Sequence, residues 1–344
     1  MEPLLFRVVE VVARRAGGRR PHNRRKESVM NVQSPTLRSV REDDAYPTRQ
    51  RAEEKLLSRE DPVLWSEWTE EAPISRDEAE SYAEKGYLVR HGMFDEAEVR
   101  HLIDVSQDLR ENGRKIRAED LVTEPESQAV RTIFRLDEHS TLFDRVSRDE
   151  RMAGVASFLL GDNVYLHQSR LNYKPGFSGK EFYWHSDFET WHAEDGMPRM
   201  RAVSASLLLT DNTSLNGPLM LIPGSQDVYV STQGETPEDN HESSLKRQEV
   251  GVPSRATLKK LAAEAGIDHA TGPAGTVIFF DCNTLHGSNG NITPMPRSNA
   301  FFVYNAVSNA LTDPFAAPRP RPPYLANRGA PVPIRSIRGD LRKG

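Results

Sequence analysis

The sequence predicts an antiparallel β domain, a sandwich or a jelly roll, set behind a group of N-terminal helices. Two observations carry this. From residue 163 onward short strand-like runs succeed one another, at 164–173, 201–209, 219–222, 277–280 and 300–307. Turn signals separate them: Pro175-Gly176, Asn216-Gly217-Pro218, Pro223-Gly224, Gly272-Pro273 and Pro294. Before residue 163 the pattern is helical.

The helical part reads in order. Ser75 with Glu78 three positions on forms a capping box, and Gly86 can close that helix before a strand starting at Tyr87. Residues 95–112 place Val99, Leu102, Ile103 and Val105 at helical spacing. Residues 149–160 form a third helical stretch, closed by Gly161. Within the β part, 254–265 reads as a helical insertion. Residues 232–249 are polar and charged, too poor in apolar side chains to build core, and read as a mobile loop or a lid over a site.

Composition limits the function classes. A chain of 344 residues makes one large domain or two small ones. A formal charge of -5 argues against a nucleic-acid partner. No apolar run is long enough to span a membrane. Cys282 stands alone, which excludes an internal disulfide and a cysteine metal cluster and fits a reducing, cytoplasmic compartment. Residues 1–40, with an Arg-rich, acid-poor start, are expected to be a disordered or mis-assigned extension, Met30 being an alternative first residue; a transit peptide is the lesser reading. Residues 41–312 are expected to form a single catalytic domain. Residues 313–344 form a Pro/Arg-rich tail of extended chain, packed along the domain.

The chemistry concentrates in Phe182-Tyr-Trp-His-Ser-Asp-Phe-Glu-Thr-Trp-His. In a strand, residues i and i+2 share a face, so His185 and Asp187 project together. His286, between an apolar strand and a glycine turn, is the best third ligand. Two imidazoles and one carboxylate occupy one face of an octahedron and leave three positions open, which suits Fe(II) and O₂. A zinc hydrolase using the same ligands is the competing reading. Arg297 weighs against it. It opens the strand after His286, and its planar fork suits the distal carboxylate of 2-oxoglutarate while the oxo-acid end chelates iron.

The ordered His-x-Asp, distal His and Arg resemble the phytanoyl-CoA dioxygenase-like family of Fe(II)/2-oxoglutarate oxygenases. Within that family, the run from Gln168 to Arg201 is similar to the branch that hydroxylates ectoine. The resemblance spans about 73–310. It implies a double-stranded β-helix, the cupin-like jelly roll, mainly β with flanking helices, and a homodimer. It implies His185, Asp187 and His286 as iron ligands. Arg297 would hold 2-oxoglutarate, with Ser288, Asn172 and Thr190 as polar support and Gln168 between co-substrate and substrate. Arg170, Trp191, Phe280, Asn299 and Phe301 would shape the ectoine pocket, and Ser204 and Ser206 would line the cavity. Trp184 reads as core packing.

The implied reaction oxidatively decarboxylates 2-oxoglutarate to succinate and CO₂ and converts ectoine to 5-hydroxyectoine, a compatible solute of the stress response. Ectoine is a ring zwitterion. Aromatic faces suit its amidinium, Arg170 suits its carboxylate, and Asn299 offers a donor and an acceptor. Asp187 favours hydroxylation over halogenation, which needs an open position for chloride. The alternatives are a hydroxylase of the same fold acting on another amino acid or acyl substrate, and a non-catalytic cupin-like binding protein.

Overall fold

The computed structural model describes residues 44–112, 116–123, 130–245 and 248–342; the expectations for residues 1–40 lie outside the described residues. A short strand, β1 (Lys55–Ser58), precedes α1 (Arg76–Lys85). The Ser75 hydroxyl accepts from the Glu78 N–H and the Glu78 carboxylate accepts from the Ser75 N–H, so the capping box is closed on both sides. Gly86 ends the helix at φ 77°, a left-handed conformation that costs glycine little. β2 (Tyr87–Arg90) and α2 (Glu96–Glu111) follow, the latter capped by Asp95. Next come β3 (Leu121–Thr123), β4 (Val130–Phe134), α3 (Leu136–His139), α4 (Thr141–Arg148) and α5 (Val155–Leu160). The helix expected over 149–160 is divided: Glu150–Gly154 form a wider π-type turn that leads into α5.

The β part contains β5 (Val164–Lys174), β6 (Phe182–His185), α6 (Asp187–Thr190), β7 (Ala202–Leu208), β8 (Leu219–Leu221), β9 (Val228–Ser231), α7 (Asn240–Ser244), α8 (Arg255–Ala265), β10 (Asp268–Ala270), β11 (Val277–Asp281), β12 (His286–Ser288) and β13 (Arg297–Ala306). Seven strands form the main antiparallel sheet, ordered β2-β11-β7-β13-β5-β4-β3. Four form a smaller facing sheet, β10-β8-β12-β6, and β1 pairs with β9. The fold is the cupin-like jelly roll with flanking helices.

Strand alternation gives the main sheet two different faces. Val203, Ala205 and Leu207 of β7, Val277 and Phe279 of β11, and Ala300, Phe302 and Tyr304 of β13 share one core with Leu102, Phe143, Val146, Val155 and Leu159 of the helices. The opposite parity carries polar groups: Ser204 and Ser206 on β7, Arg297 and Asn299 on β13.

β5 would break this rule without a bulge. Val303 pairs with Gln168 but Tyr304 pairs with Leu166, so His167 is the extra residue. Val164 and Leu166 therefore pack with the helical core, whereas Gln168, Arg170, Asn172 and Lys174, at the same spacing beyond the bulge, face the other way. The tail has no regular structure over 313–342, yet Ala317, Leu325, Ala326 and Leu341 are buried.

A Cβ added at Gly86 would lie 2.5 Å from side-chain oxygens of Gln226 and Thr284. Gly86→Ala combines that clash with a left-handed backbone and is expected to cost about 1–3 kcal/mol. A shift in the urea midpoint at constant slope checks it.

Candidate metal and co-substrate site

Cross-strand register brings the two histidines together. His185 ends β6, and its antiparallel partner on β12 is His286. Their rings lie 4.3 Å apart between centroids. The expectation of one strand through His185-x-Asp187 needs a correction, because the strand stops at His185 and Asp187 opens α6. Ser186 between them stays extended (φ -105°, ψ 131°), so i and i+2 still face the same way. The turn is seated on the loop before β12: Ser186 Oγ donates to Asn283 Oδ1 and the Phe188 N–H to the Cys282 carbonyl.

Asp187 Oδ1 lies 3.7 Å from His185 Nε2, and its Oδ2 lies 3.9 Å from His286 Nε2. One ligand atom from each residue falls within a 4.8 Å cluster. A carbonyl only accepts, so His185 Nδ1, 2.7 Å from the Tyr183 carbonyl, and His286 Nδ1, 3.0 Å from the Thr284 carbonyl, carry the protons. Both Nε2 lone pairs are then free for a metal. Burial, reinforced by His185, pushes the His286 imidazolium down to about 4, so the ring is neutral at physiological pH. Burial pushes the Asp187 carboxyl up, but the surrounding His286, His185 and Arg170 and the Ser204 hydroxyl, which donates to Oδ2 at 3.2 Å, hold it below its ordinary value. A neutral, neutral and anionic donor set of this kind fits Fe(II).

The set opens into a cavity of about 400 Å³. Gln168, Arg170, Asn172, Thr190, Trp191, Ser288, Arg297 and Phe301 all reach its wall. Phe280 and Asn299 do not. Phe280 is sealed behind the His286 ring, 4.9 Å away, and Asn299 is fully buried, donating to Ser206 Oγ and accepting from Asn212 Nδ2. Their strand faces are right, but their side chains are taken up by neighbours rather than by the cavity wall. Trp184 packs beside the Ile222–Leu285 cluster on the other face of its strand. Ser244, Leu245, Gln248 and Val250 come from the polar insert and its end, so that segment covers the cavity; Gln248 Nε2 donates to Thr190 Oγ1.

Arg297 is buried to 3 % exposure, and no carboxylate among the described residues acts on it. Its Nη1 donates to the Gly217 carbonyl, its Nε has no partner, and burial pushes it down to about 10. A guanidinium so placed requires an anion. Sequence reasoning missed its neighbour. Lys174 is Arg297's partner on β5, and its Nζ donates to Ser288 Oγ at 2.8 Å and to the Asn289 carbonyl. Burial, aided by Arg297 and Arg131, pushes the Lys174 ammonium down to about 6. The alternation Gln168, Arg170, Asn172, Lys174 was the available signal. Arg321 and Leu325 of the tail also line the cavity, and no motif marks them.

A family model described as phytanoyl-CoA dioxygenase matches residues 82–299. The chain belongs to the phytanoyl-CoA dioxygenase family. It is 55 % identical over 298 residues to an ectoine dioxygenase of Sphingopyxis alaskensis, covering 87 % of this chain and 97 % of that one. An ectoine dioxygenase of Stutzerimonas stutzeri is 52 % identical, over 83 % of this chain and 94 % of the other. The crystal structure of EctD from S. alaskensis with 2-oxoglutarate and 5-hydroxyectoine superposes with a TM-score of 0.80 at 52 % identity, over 87 % of this chain and 99 % of that chain. A related EctD structure contains iron. The carbocyclase SnoK from nogalamycin biosynthesis, 18 % identical with a TM-score of 0.54, shares the fold alone.

Two predictions follow from this geometry. Arg297→Gln removes the fork and is expected to weaken 2-oxoglutarate binding by about 2–5 kcal/mol, read by anaerobic calorimetry. Below about pH 6 Lys174 is already charged; above it, an arriving dianion must recruit a proton, so affinity should fall as pH rises through neutrality. Calorimetry in buffers of different ionisation enthalpy should show proton uptake, and Lys174→Met should abolish it.

Proposed function

We propose that this protein is an Fe(II)- and 2-oxoglutarate-dependent dioxygenase that converts ectoine to 5-hydroxyectoine with release of succinate and CO₂. The observation that carries the reading is a buried, unpaired Arg297 on the same cavity as the His-Asp-His cluster. A 2-oxo diacid uses both features at once, its oxo-acid end at the metal and its distal carboxylate on Arg297. The similarity to ectoine dioxygenases over nearly their whole length supports the substrate.

In this reading His185, Asp187 and His286 hold the iron, with Ser204 orienting the carboxylate. Bound iron supplies the O₂ activation and hydrogen abstraction that no side chain here can perform. Arg297 receives the distal carboxylate of 2-oxoglutarate, with Ser288 and Asn172 beside it and the Lys174 charge close by, donating to Ser288 Oγ. Asn172 Oδ1 accepts from Thr132 Oγ1, which presets its amide. Gln168 is fixed by donation to the Leu325 carbonyl and accepts from Arg170, so it stands between the two ligands. Arg170 has burial and no carboxylate of its own beyond Asp187, and lies over the Phe301 ring, 4.8 Å from its centroid. It takes the ectoine carboxylate. Trp191 and Phe301 offer faces to the ring, and Thr190 with the covering segment excludes water. A cavity of about 400 Å³ suits two small acids better than a long acyl chain.

We also propose that the protein is a cytoplasmic homodimer that makes a compatible solute under stress. The buried free Cys282 suits a reducing compartment. No helix among the described residues is long and apolar enough to cross a membrane. Light scattering on the purified protein should give a particle of two chains.

The decisive assay supplies 2-oxoglutarate and O₂ to anaerobically reconstituted Fe(II) protein, with and without ectoine. Succinate formation should depend on ectoine and match a product one oxygen heavier by mass. Succinate with unchanged ectoine would retain the oxygenase and overturn the substrate. His185→Ala should lose both iron and succinate formation.

A further inference from the structure

We propose that Glu194 is a specificity-determining residue, whose free carboxylate oxygen binds the cationic amidinium of the substrate. This rests on the ectoine reading above and extends it to the positive end of the zwitterion.

The case is a count of buried charges around one helical turn. Asp187 opens α6, and Trp191–Asp195 continue it as a π-type turn. Asp187, Thr190, Trp191 and Glu194 line the cavity. Behind them the turn is pinned from outside. His192 Nε2 lies 2.9 Å from Asp44. Asp195 accepts Arg321 Nε and Nη2 at 2.8 and 2.6 Å. Glu189 accepts Arg49 Nε and Nη2 at 3.0 and 2.8 Å, with further donors in Thr48 and Thr232.

Arg321 with Asp195 and Arg49 with Glu189 are matched pairs. Glu194 shares Arg49 with Glu189, so two carboxylates there meet one guanidinium. Glu194 is only 3 % exposed, and a single oxygen, Oε1, accepts both Arg49 Nη1 at 2.6 Å and Asn240 Nδ2 at 2.8 Å. Its Oε2 accepts no hydrogen bond from any described residue. Oε2 is not among the sealed, partnerless polar atoms, so it stays accessible and can take its donor from a ligand.

The cavity's other charges exclude alternative destinations for a substrate cation. Asp187 belongs to the metal set, and Glu181 is exposed. Arg131, Arg170, Arg297 and Arg321 are all cations. Arg170, with Asp187 as its one acid, and Glu194, which shares Arg49 with Glu189, thus bring a positive and a negative group to one cavity, Glu194 also bordering a second cavity beside Asp239 and Arg319. That is the complement of a small zwitterion. An amidinium N–H donates to Glu194 Oε2, while Trp191, three residues earlier, offers its ring face to the same cation. Arg49 is then a positioning residue, because it fixes Oε1 and turns Oε2 to the ligand.

Glu194→Gln tests this. The amide retains an acceptor for Arg49 and Asn240 but presents an NH₂ where the cation needs an oxygen. Wild type and E194Q, loaded anaerobically with Fe(II) and 2-oxoglutarate, are titrated with ectoine by calorimetry. Retained 2-oxoglutarate affinity in E194Q shows an intact site. Ectoine affinity should fall about ten- to a hundredfold, the scale for losing a charged hydrogen bond. Cyclohexanecarboxylate, a ring carboxylate without the amidinium, should bind both proteins equally. As a second variant, Arg49→Lys keeps the charge but loses the fork, and should raise KM for ectoine more than it lowers kcat. Equal ectoine affinity in wild type and E194Q overturns the inference alone. Failure of wild type to bind ectoine overturns the substrate reading, and the inference with it.

Discussion

The pairing of β6 with β12 is the constraint on which the rest of the site depends. It sets His185 directly opposite His286, and the extended Ser186 then delivers Asp187 into the same space. A one-residue slip in an antiparallel pair sends every side chain to the other face. Here it would separate the two imidazoles, while the donation of each Nδ1 to the carbonyl two residues upstream is local to its own strand. The register is held by neighbours on both sides, since β12 also pairs with β8 and α6 is anchored to the Cys282 carbonyl.

A second constraint follows from the division of the main sheet. Its outer face is apolar and buried beneath helices, which carries the hydrophobic stabilisation. Its inner face can therefore be polar without loss of the fold. Buried Ser204, Ser206, Asn172, Asn299, Lys174 and Arg297 occupy that face, and most find hydrogen bonds. Of these, Arg297 Nε alone is left without a partner among the described residues. The bulge at His167 makes this arrangement possible on β5, by changing which side chains face inward partway along one strand.

The chain outside the family-matched residues 82–299 is also part of the cavity's architecture. Asp44 and Arg49 come from before it, and Arg321 and Leu325 from after it. They pin the turn that bears Trp191 or line the cavity themselves. The metal cluster and Arg297 lie inside the matched region. The two ends of the domain thus surround a common oxygenase centre with contacts of their own, as buried ion pairs whose partners must both be present.

The sequence by itself determined the longer strands β5, β7, β11 and β13, the helices α1, α2 and α8, the Ser75 capping box, and the order His185, Asp187, His286, Arg297, because these depend on local spacing and residue chemistry. It also indicated the aromatic and polar character of the run from Gln168 to Trp191. Only the tertiary structure decided which of those groups line the cavity. Phe280 and Asn299 have suitable chemistry but are taken up by neighbours, Phe280 by His286 and Asn299 by Ser206 and Asn212. Lys174, Glu194 and Arg321 read as ordinary surface charges, and become informative only once burial and pairing are known. The reason is physical. A side chain's direction follows from its own backbone, but its burial, its partner and its unpaired atoms follow from segments distant in sequence.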